Sequence, residues 1–245
     1  MKSYYEFHEQ AYQQLKAKGY IGWDKAKVLS ELGDKQSKQF LTESIIKFVG
    51  ATAGKTALDV GCGSGATAFL LDDLGFQVTG VDISNTAIDM ANELASVQGK
   101  KTKFYADDIL DPKRLENSFD VIYDSHCLHC IVFDEDRVKF FRTVKNKLSS
   151  GGIFILDTMV FSPEMDLVGD IKALRFDVDY ILWHKAEASD TRGVSNYDEQ
   201  SWCAQRRVYP AEKIIAEIIA AEFTILTQQI DAQQQKPSML RLILK

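Results

Sequence analysis

Long apolar runs, an excess of positive charge and a dense cysteine complement are all missing from this chain of 245 residues. A helix that spans a bilayer needs about 20 apolar residues, and no run approaches that length, so no membrane partner is expected. Met1-Lys2-Ser3-Tyr4-Tyr5-Glu6-Phe7-His8 has no apolar core of the kind a secretory leader carries. Lys and Arg number 29 against 35 Asp and Glu, a net charge of −6. With no basic patch in its sequence, such a chain is a poor partner for nucleic acid. Four cysteines at this length do not make a disulfide framework. A cytoplasmic location and a small-molecule partner are what these absences leave. Oligomeric state has no signature here.

What is present centres on Leu58-Asp59-Val60-Gly61-Cys62-Gly63-Ser64-Gly65. The apolar run 56–60 enters it as a short buried strand, and 66–71 leaves it as the start of a helix. Three glycines at such a turn let a ligand approach bare backbone, beside helix amides that have no intrahelical partner. A second strand, 76–81, ends in Asp82, which follows Gly61 by 21 residues. That is the spacing at which an acid receives the hydroxyls of a ribose. The turn and the acid together indicate a nucleoside-containing cofactor.

From Lys55 onward, strands and helices alternate at short intervals, the rhythm of a doubly wound parallel sheet. Ser84 caps a helix that Gly99 ends. Strands are expected at 102–105, 119–123 and 153–156, with a helix over about 135–148 before the last of these. Pro210 starts a final helix, and 223–227 and 238–244 close the chain as a strand pair. Residues 1–50 are helical in pattern, an N-terminal cap in which Tyr5, His8, Ala11, Tyr12 and Leu15 form one stripe of an amphipathic helix. A second helix is expected over 35–49. Between the two, Tyr20 and Trp23 sit in a glycine-flanked loop suited to a lid. Residues 159–209 carry nine acids against six Lys and Arg and show no clear period. They read as an insertion packed over one sheet end of a second unit, 51–245.

This order of elements resembles the class I S-adenosylmethionine-dependent methyltransferases. The resemblance covers about 55–158 and 210–245. It implies an α/β fold: a doubly wound, mostly parallel seven-stranded sheet ending in a C-terminal antiparallel hairpin. The N-terminal helical cap and the insertion after strand five are additions to it. In that family the backbone around Gly61 and Gly63 lies against the methionine part of S-adenosyl-L-methionine. The resemblance also implies that Asp82 takes the ribose hydroxyls and that Ile83 lies beside the adenine. Asp107 accepts from the adenine amino group, with Asp108 following against the ring. Asp59, in the first motif, and Asp124, in the fourth, join the cofactor-binding set. Residues 119–129 resemble the fourth motif, whose loop faces cofactor and acceptor. Methyl transfer from a sulfonium then asks the protein for alignment, exclusion of water and, for a protonated acceptor, a base.

His126 is the candidate base, because a histidine titrates near neutral pH. His129 is read as structural or as part of the substrate lid. His126-Cys127-Leu128-His129-Cys130 could ligate a metal, but no second ligand pair stands at sensible spacing, so none is expected. Asp157 is followed by Thr158 rather than the asparagine of metal-dependent catechol methyltransferases. No Asn-Pro-Pro-Tyr type loop follows Tyr123, which argues against a nucleic acid base as acceptor. Two other readings stay open. A Rossmann-type nicotinamide oxidoreductase also uses glycines and an acid, and Tyr209 and Lys213 have its tyrosine-lysine spacing. However, Pro210 sets Tyr209 ahead of the helix. A cofactor-binding scaffold subunit without catalysis is the third reading.

Overall fold

The computed structural model describes residues 4–163, 174–187, 191–233 and 236–245. Two helices precede the sheet, α1 (Phe7–Ala17) and α2 (Lys35–Phe48). Then come β1 (Thr56–Val60), α3 (Ala66–Asp73), β2 (Gln77–Asp82), α4 (Asn85–Gln98), β3 (Lys103–Ala106), β4 (Phe119–Ser125), α5 (Asp134–Lys147) and β5 (Leu148–Val160). The caps expected of α4 are present: Ser84 accepts from the Ala87 amide, and Gly99 turns left-handed at φ 65°.

Alternation along each strand divides the core into two layers. Leu58 and Val60 of β1 and Phe154 and Leu156 of β5 point to one face, where Phe140 and Phe141 of α5 meet them. Ala57, Ile153 and Ile155 point to the other, packed with Leu41 and Ile45 of α2, Phe69 of α3 and Ile88 of α4. Helices cover both faces, so the central strands are apolar on both sides, as a parallel sheet requires. After β5 follow β6 (Leu174–Phe176), β7 (Ile181–Lys185), β8 (Val194–Tyr197), β9 (Gln200–Arg207), α6 (Ala211–Ala220), β10 (Ile225–Asp231) and β11 (Ser238–Leu244). The large sheet has the order β10-β11-β5-β4-β1-β2-β3, seven strands of which only β11 runs against its neighbours. This is the doubly wound sheet with its closing hairpin.

The insertion differs from what its sequence suggests. Residues 174–207 contain a second sheet, four antiparallel strands in the order β6-β7-β9-β8. Its strands are short, and most of their residues stay half-buried, so no period of two stands out in the sequence. The rest of the predicted insertion at 164–173 and 188–190 lies outside the described residues. The two additions to the core meet. Tyr4 packs with Ile181, Cys203 and Ala204 of the small sheet, and its hydroxyl accepts from the Val132 amide at 2.7 Å. Among the described residues no helix is long and apolar enough to cross a membrane.

One buried arginine fastens the elements behind the site. The Arg137 side chain, 1% exposed, donates to Glu217 from Nε and Nη2, each at 2.6 Å. Its Nη1 donates to the carbonyls of Leu128 and Ile131. Thus α5, α6 and the loop after β4 are joined at one guanidinium. Breaking a buried pair costs about 3–5 kcal/mol. Arg137→Ala is expected at the low end of that range, because Glu217 keeps some contact with water. Urea unfolding checks this, and a loss below half a kilocalorie per mole would show that the pair does not hold these elements together.

Candidate cofactor and acceptor site

The carboxyl ends of β1, β2, β3 and β4 open into one cavity of about 340 Å³. This is the volume range of a small-molecule site. At its base the glycine turn is left-handed at Gly61, Gly63 and Gly65. Each glycine faces a neighbour that leaves no room for a side chain. A Cβ on Gly61 would stand 2.7 Å from Cys127 Cβ, one on Gly63 would strike the Tyr12 hydroxyl, and one on Gly65 would lie 2.8 Å from Phe69.

Asp82 closes the end of β2 over this turn. It is 8% exposed. One oxygen accepts from the Gly63 amide and the other from the Ser84 amide, both at 2.9 Å. Burial raises its carboxyl to about 6; the two amides oppose that rise and Glu9 adds to it. Asp59 lines the cavity with a buried oxygen that has no partner. Burial pushes its pKa well above the usual range, and the neighbouring Asp124 and Asp82 push it further. Ile83, Asp107 and Asp108 continue the wall. Asp107 is engaged by the loop it closes, accepting from the amides of Lys113 and Arg114. Asp108 accepts from the Tyr5 hydroxyl at 3.0 Å.

Asp124 is the departure in this set. It is fully buried and absent from the cavity wall. Its two oxygens accept from the amides of Cys127 and Leu128, at 2.7 and 2.9 Å. With both oxygens on successive amides and no surface on the cavity, this carboxylate shapes the loop after β4 and does not face a ligand. The lid loop divides as well. Trp23 overlies the cavity against His8 and Tyr12, its ring centroid 5.8 and 5.6 Å from theirs. Tyr20 does not reach it. The Tyr20 amide bonds back to Leu15, and the residue borders a separate hollow with Lys16, Met90 and Glu93. The left-handed turn at Gly19, φ 74°, is what sends the chain that way.

The roof is α1, part of the N-terminal cap expected, with the insertion, to form a lid over the acceptor. The stripe of Tyr5, His8 and Tyr12 was legible as an apolar face, but its spacing does not say what the face covers. Glu9 anchors the helix: it accepts from the Ser84 and Thr86 hydroxyls and from the Thr86 amide, at the start of α4.

His126 lines the cavity, one residue before the Cys127 that packs on Gly61. Its backbone is left-handed at φ 73°, uncommon outside glycine, and its amide donates to the Asp157 carbonyl at 2.9 Å. The side chain is 36% exposed, and Nε2 lies 4.0 Å from Asp157 Oδ1. Both of those atoms are buried without a hydrogen-bond partner, which leaves the other ring nitrogen for the cavity. Burial lowers the pKa of the ring, while Asp157 and Asp34 act to raise it. His129 is in the wall rather than in a lid: it is 2% exposed, and its Nδ1 accepts from the Met159 amide at 3.4 Å. Arg206, from β9, completes this end. Tyr209 bonds Asp134 and has the Lys213 ammonium 4.9 Å from its ring centroid, but neither residue lines the cavity, so the tyrosine-lysine couple of an oxidoreductase does not face it. Among the described residues no group of three His, Cys, Asp or Glu side chains could hold a metal ion.

Residues 58–156 match the model of a methyltransferase domain. Phosphoethanolamine N-methyltransferase 3 of Arabidopsis thaliana is 25% identical over 80% of this chain and 36% of its own length. The mitochondrial ubiquinone biosynthesis O-methyltransferase of Schizosaccharomyces pombe is 29% identical over 58% of this chain and 52% of its own. The chain thus spans about a third to a half of the curated relatives it matches. An S-adenosylmethionine-dependent methyltransferase from Clostridium acetobutylicum shares the fold, with a TM-score of 0.67 at 19% identity over 96% of this chain and 98% of that one.

The packing of Cys127 on Gly61 yields a direct test. Gly61→Ala incurs about 1–2 kcal/mol for a left-handed alanine, and about 1–3 kcal/mol more for overpacking. Denaturant unfolding should register both losses. Adding Cys127→Gly should restore the packing share alone. Equal stability of Gly61→Ala and the parent would mean that Cys127 does not seal the turn.

Proposed function

From its methyltransferase domain and doubly wound fold, we infer that this chain is a class I S-adenosylmethionine-dependent methyltransferase acting on a small-molecule acceptor. The observation that carries the reading is the buried Asp82 carboxylate, bonded to the Gly63 amide in the wall of the cavity that also holds His126. The residues present fit the cofactor. Asp82 offers its remaining lone pairs to the ribose hydroxyls, and Ile83 flanks the adenine with Asp107 and Asp108 at its edge. The side-chain-free turn at Gly61 and Gly63 receives the methionine part. The unpartnered oxygen of Asp59 leaves a polar atom in the wall free for a ligand donor. When bound, S-adenosylmethionine supplies a methyl group already activated by positive sulfur, so transfer needs no metal.

The remaining work is done by the chain's own side chains. Tyr5, His8, Tyr12 and Trp23 cover the cavity and exclude water, which strengthens every electrostatic contact inside. His126 takes a proton from the acceptor on its cavity-facing nitrogen. Asp157, whose free oxygen lies 4.0 Å from Nε2, then stabilises the charged ring. This is the division of labour of a base and its orienting carboxylate. The activities for which the two relatives are named, on phosphoethanolamine and in ubiquinone biosynthesis, support a small metabolite as acceptor.

Two measurements test the assignment. Because burial holds Asp82 at about 6, ligand hydroxyls that favour its ionised form lower that value and release a proton. Affinity for S-adenosylhomocysteine should therefore rise with pH through about 6 and level off above it. Titration calorimetry in two buffers of different ionisation heat reads both the affinity and the proton. Asp82→Ala should weaken binding by about tenfold to a hundredfold, the worth of a charge-assisted hydrogen bond. Unchanged affinity in that variant would sink the cofactor assignment. For the base, His126→Asn is the suitable variant, since asparagine tolerates the left-handed backbone. Turnover should drop by roughly a hundredfold to ten-thousandfold with cofactor affinity kept. In the parent, the rate should fall on acidification, with a midpoint below the ordinary histidine value. A variant with the parent's rate and pH profile would move the chemistry elsewhere.

A further inference from the structure

We propose that the methyl acceptor carries a carboxylate or phosphate group, and that Arg206, with His8 beside it, receives that group at the end of the cavity away from the glycine turn. The proposal rests on the reading of the cavity as a methyltransferase site. Four other arginines of the described structure are paired with carboxylates: Arg137 with Glu217, Arg192 with Glu135 and Asp136, Arg207 with Asp134, and Arg241 with Asp157 and Asp231. Arg206 lines the cavity and has no carboxylate partner among the described residues. Its Nε is buried without a hydrogen bond; its Nη1 reaches the Met159 sulfur at 3.9 Å, and the Cys130 thiol also lies against the guanidinium, so its partners among the described residues are sulfur atoms rather than an anion. A guanidinium partly removed from water and left without an anion is costly, and its planar fork matches the two oxygens of a carboxylate or phosphate.

The surroundings agree. His8, His126 and His129 each lie within the electrostatic reach of Arg206, so imidazoles rather than acids surround it. Asp59 apart, the carboxylates of the same wall are engaged elsewhere. Asp24 accepts from the Ala26 and Gly33 amides, and Asp34 from the Ser37 amide. Asp82 and Asp107 hold backbone amides, and Asp108 holds Tyr5. The cavity is thus acidic where β1 to β3 end and cationic where β5 meets β9. A cofactor with a positive sulfur suits the first end. The second calls for an anion. The carboxylate of the cofactor itself is the other source of that chemistry, but the contact of Arg206 is to Met159 on β5 rather than to the glycine turn.

The test is titration calorimetry on the full chain saturated with S-adenosylhomocysteine, using inorganic phosphate and hexanoate as anionic probes and hexylamine as the cationic counterpart. At least one anion should bind in preference to hexylamine. Arg206→Met should weaken that binding by about tenfold to a hundredfold, as loss of a hydrogen-bonded ion pair does, and Arg206→Lys should recover part of it. S-adenosylhomocysteine affinity should stay within about twofold, and a conserved melting temperature would show the variant folded. His8→Gln should weaken the anion by a smaller factor, giving a second variant should Arg206→Met misfold. Preference for hexylamine, no anion binding, or anion binding indifferent to Arg206 would overturn the proposal. So would a loss of S-adenosylhomocysteine affinity in Arg206→Met, which assigns the arginine to the cofactor's carboxylate. If the parent chain does not bind S-adenosylhomocysteine, the methyltransferase reading fails by itself. The anion titration on the unliganded chain then still decides for or against the site.

Discussion

A carboxylate taken almost wholly out of water holds the site together. Asp82 would be costly to bury alone, and the structure answers with amides from two directions, Ser84 following it in the chain and Gly63 across from it. Those bonds fix the end of β2 against the turn after β1, the two places a nucleoside-bearing ligand must touch at once. They also explain why the turn cannot carry side chains. Gly63 is drawn towards β2 on one side and faced by Tyr12 on the other, so the conformation and the space both demand glycine.

The additions to the sheet extend the same constraint outward. α1 is pinned at the N-terminus of α4 by Glu9, and the segment just before it is pinned at the loop after β3 by Tyr5 and Asp108. Preceding it, Tyr4 is wedged between the small sheet and the turn that leads into α5. A roof tied at both of its edges is a rigid body, and its inner face of aromatic rings excludes water without supplying charge. Charge comes instead from the floor, and it is sorted: carboxylates gather where β1, β2 and β3 end, while the Arg206 guanidinium lies beyond β4 and β5 beside the imidazoles of His126 and His129.

That sorting depends on the loop after β4. Asp124 gives both oxygens to the amides that follow, and Asp157 lends its carbonyl to His126. His126 is thereby forced into a left-handed backbone, with its ring between Asp157 and the open cavity. Strain at this one residue is sustained by buried bonds on each side of it. In the same way Arg241 neutralises Asp157 from the closing hairpin, so the last strand of the chain bears on the most reactive-looking side chain.

The sequence by itself determined the sheet and its order of elements, because alternating apolar residues, Ser84, Gly99 and Pro210 are local signals that act where they stand. It also determined the glycine turn and Asp82, since a ligand that lies across two adjacent strand ends imposes a fixed spacing. Other features were beyond its reach because they arise between distant segments. Asp124 reads like any acid at a strand end, and only the fold shows its oxygens consumed by neighbouring amides. Tyr20 and Trp23 look equivalent three residues apart, until the turn at Gly19 sends one toward α4 and the other over the cavity. The destination of the stripe on α1, the pairing of His126 with Asp157 across 31 residues, and the arrival of Arg206 from the inserted sheet were decided by tertiary structure alone. Contacts between segments this far apart are set by packing and burial, and no local period in the chain encodes them.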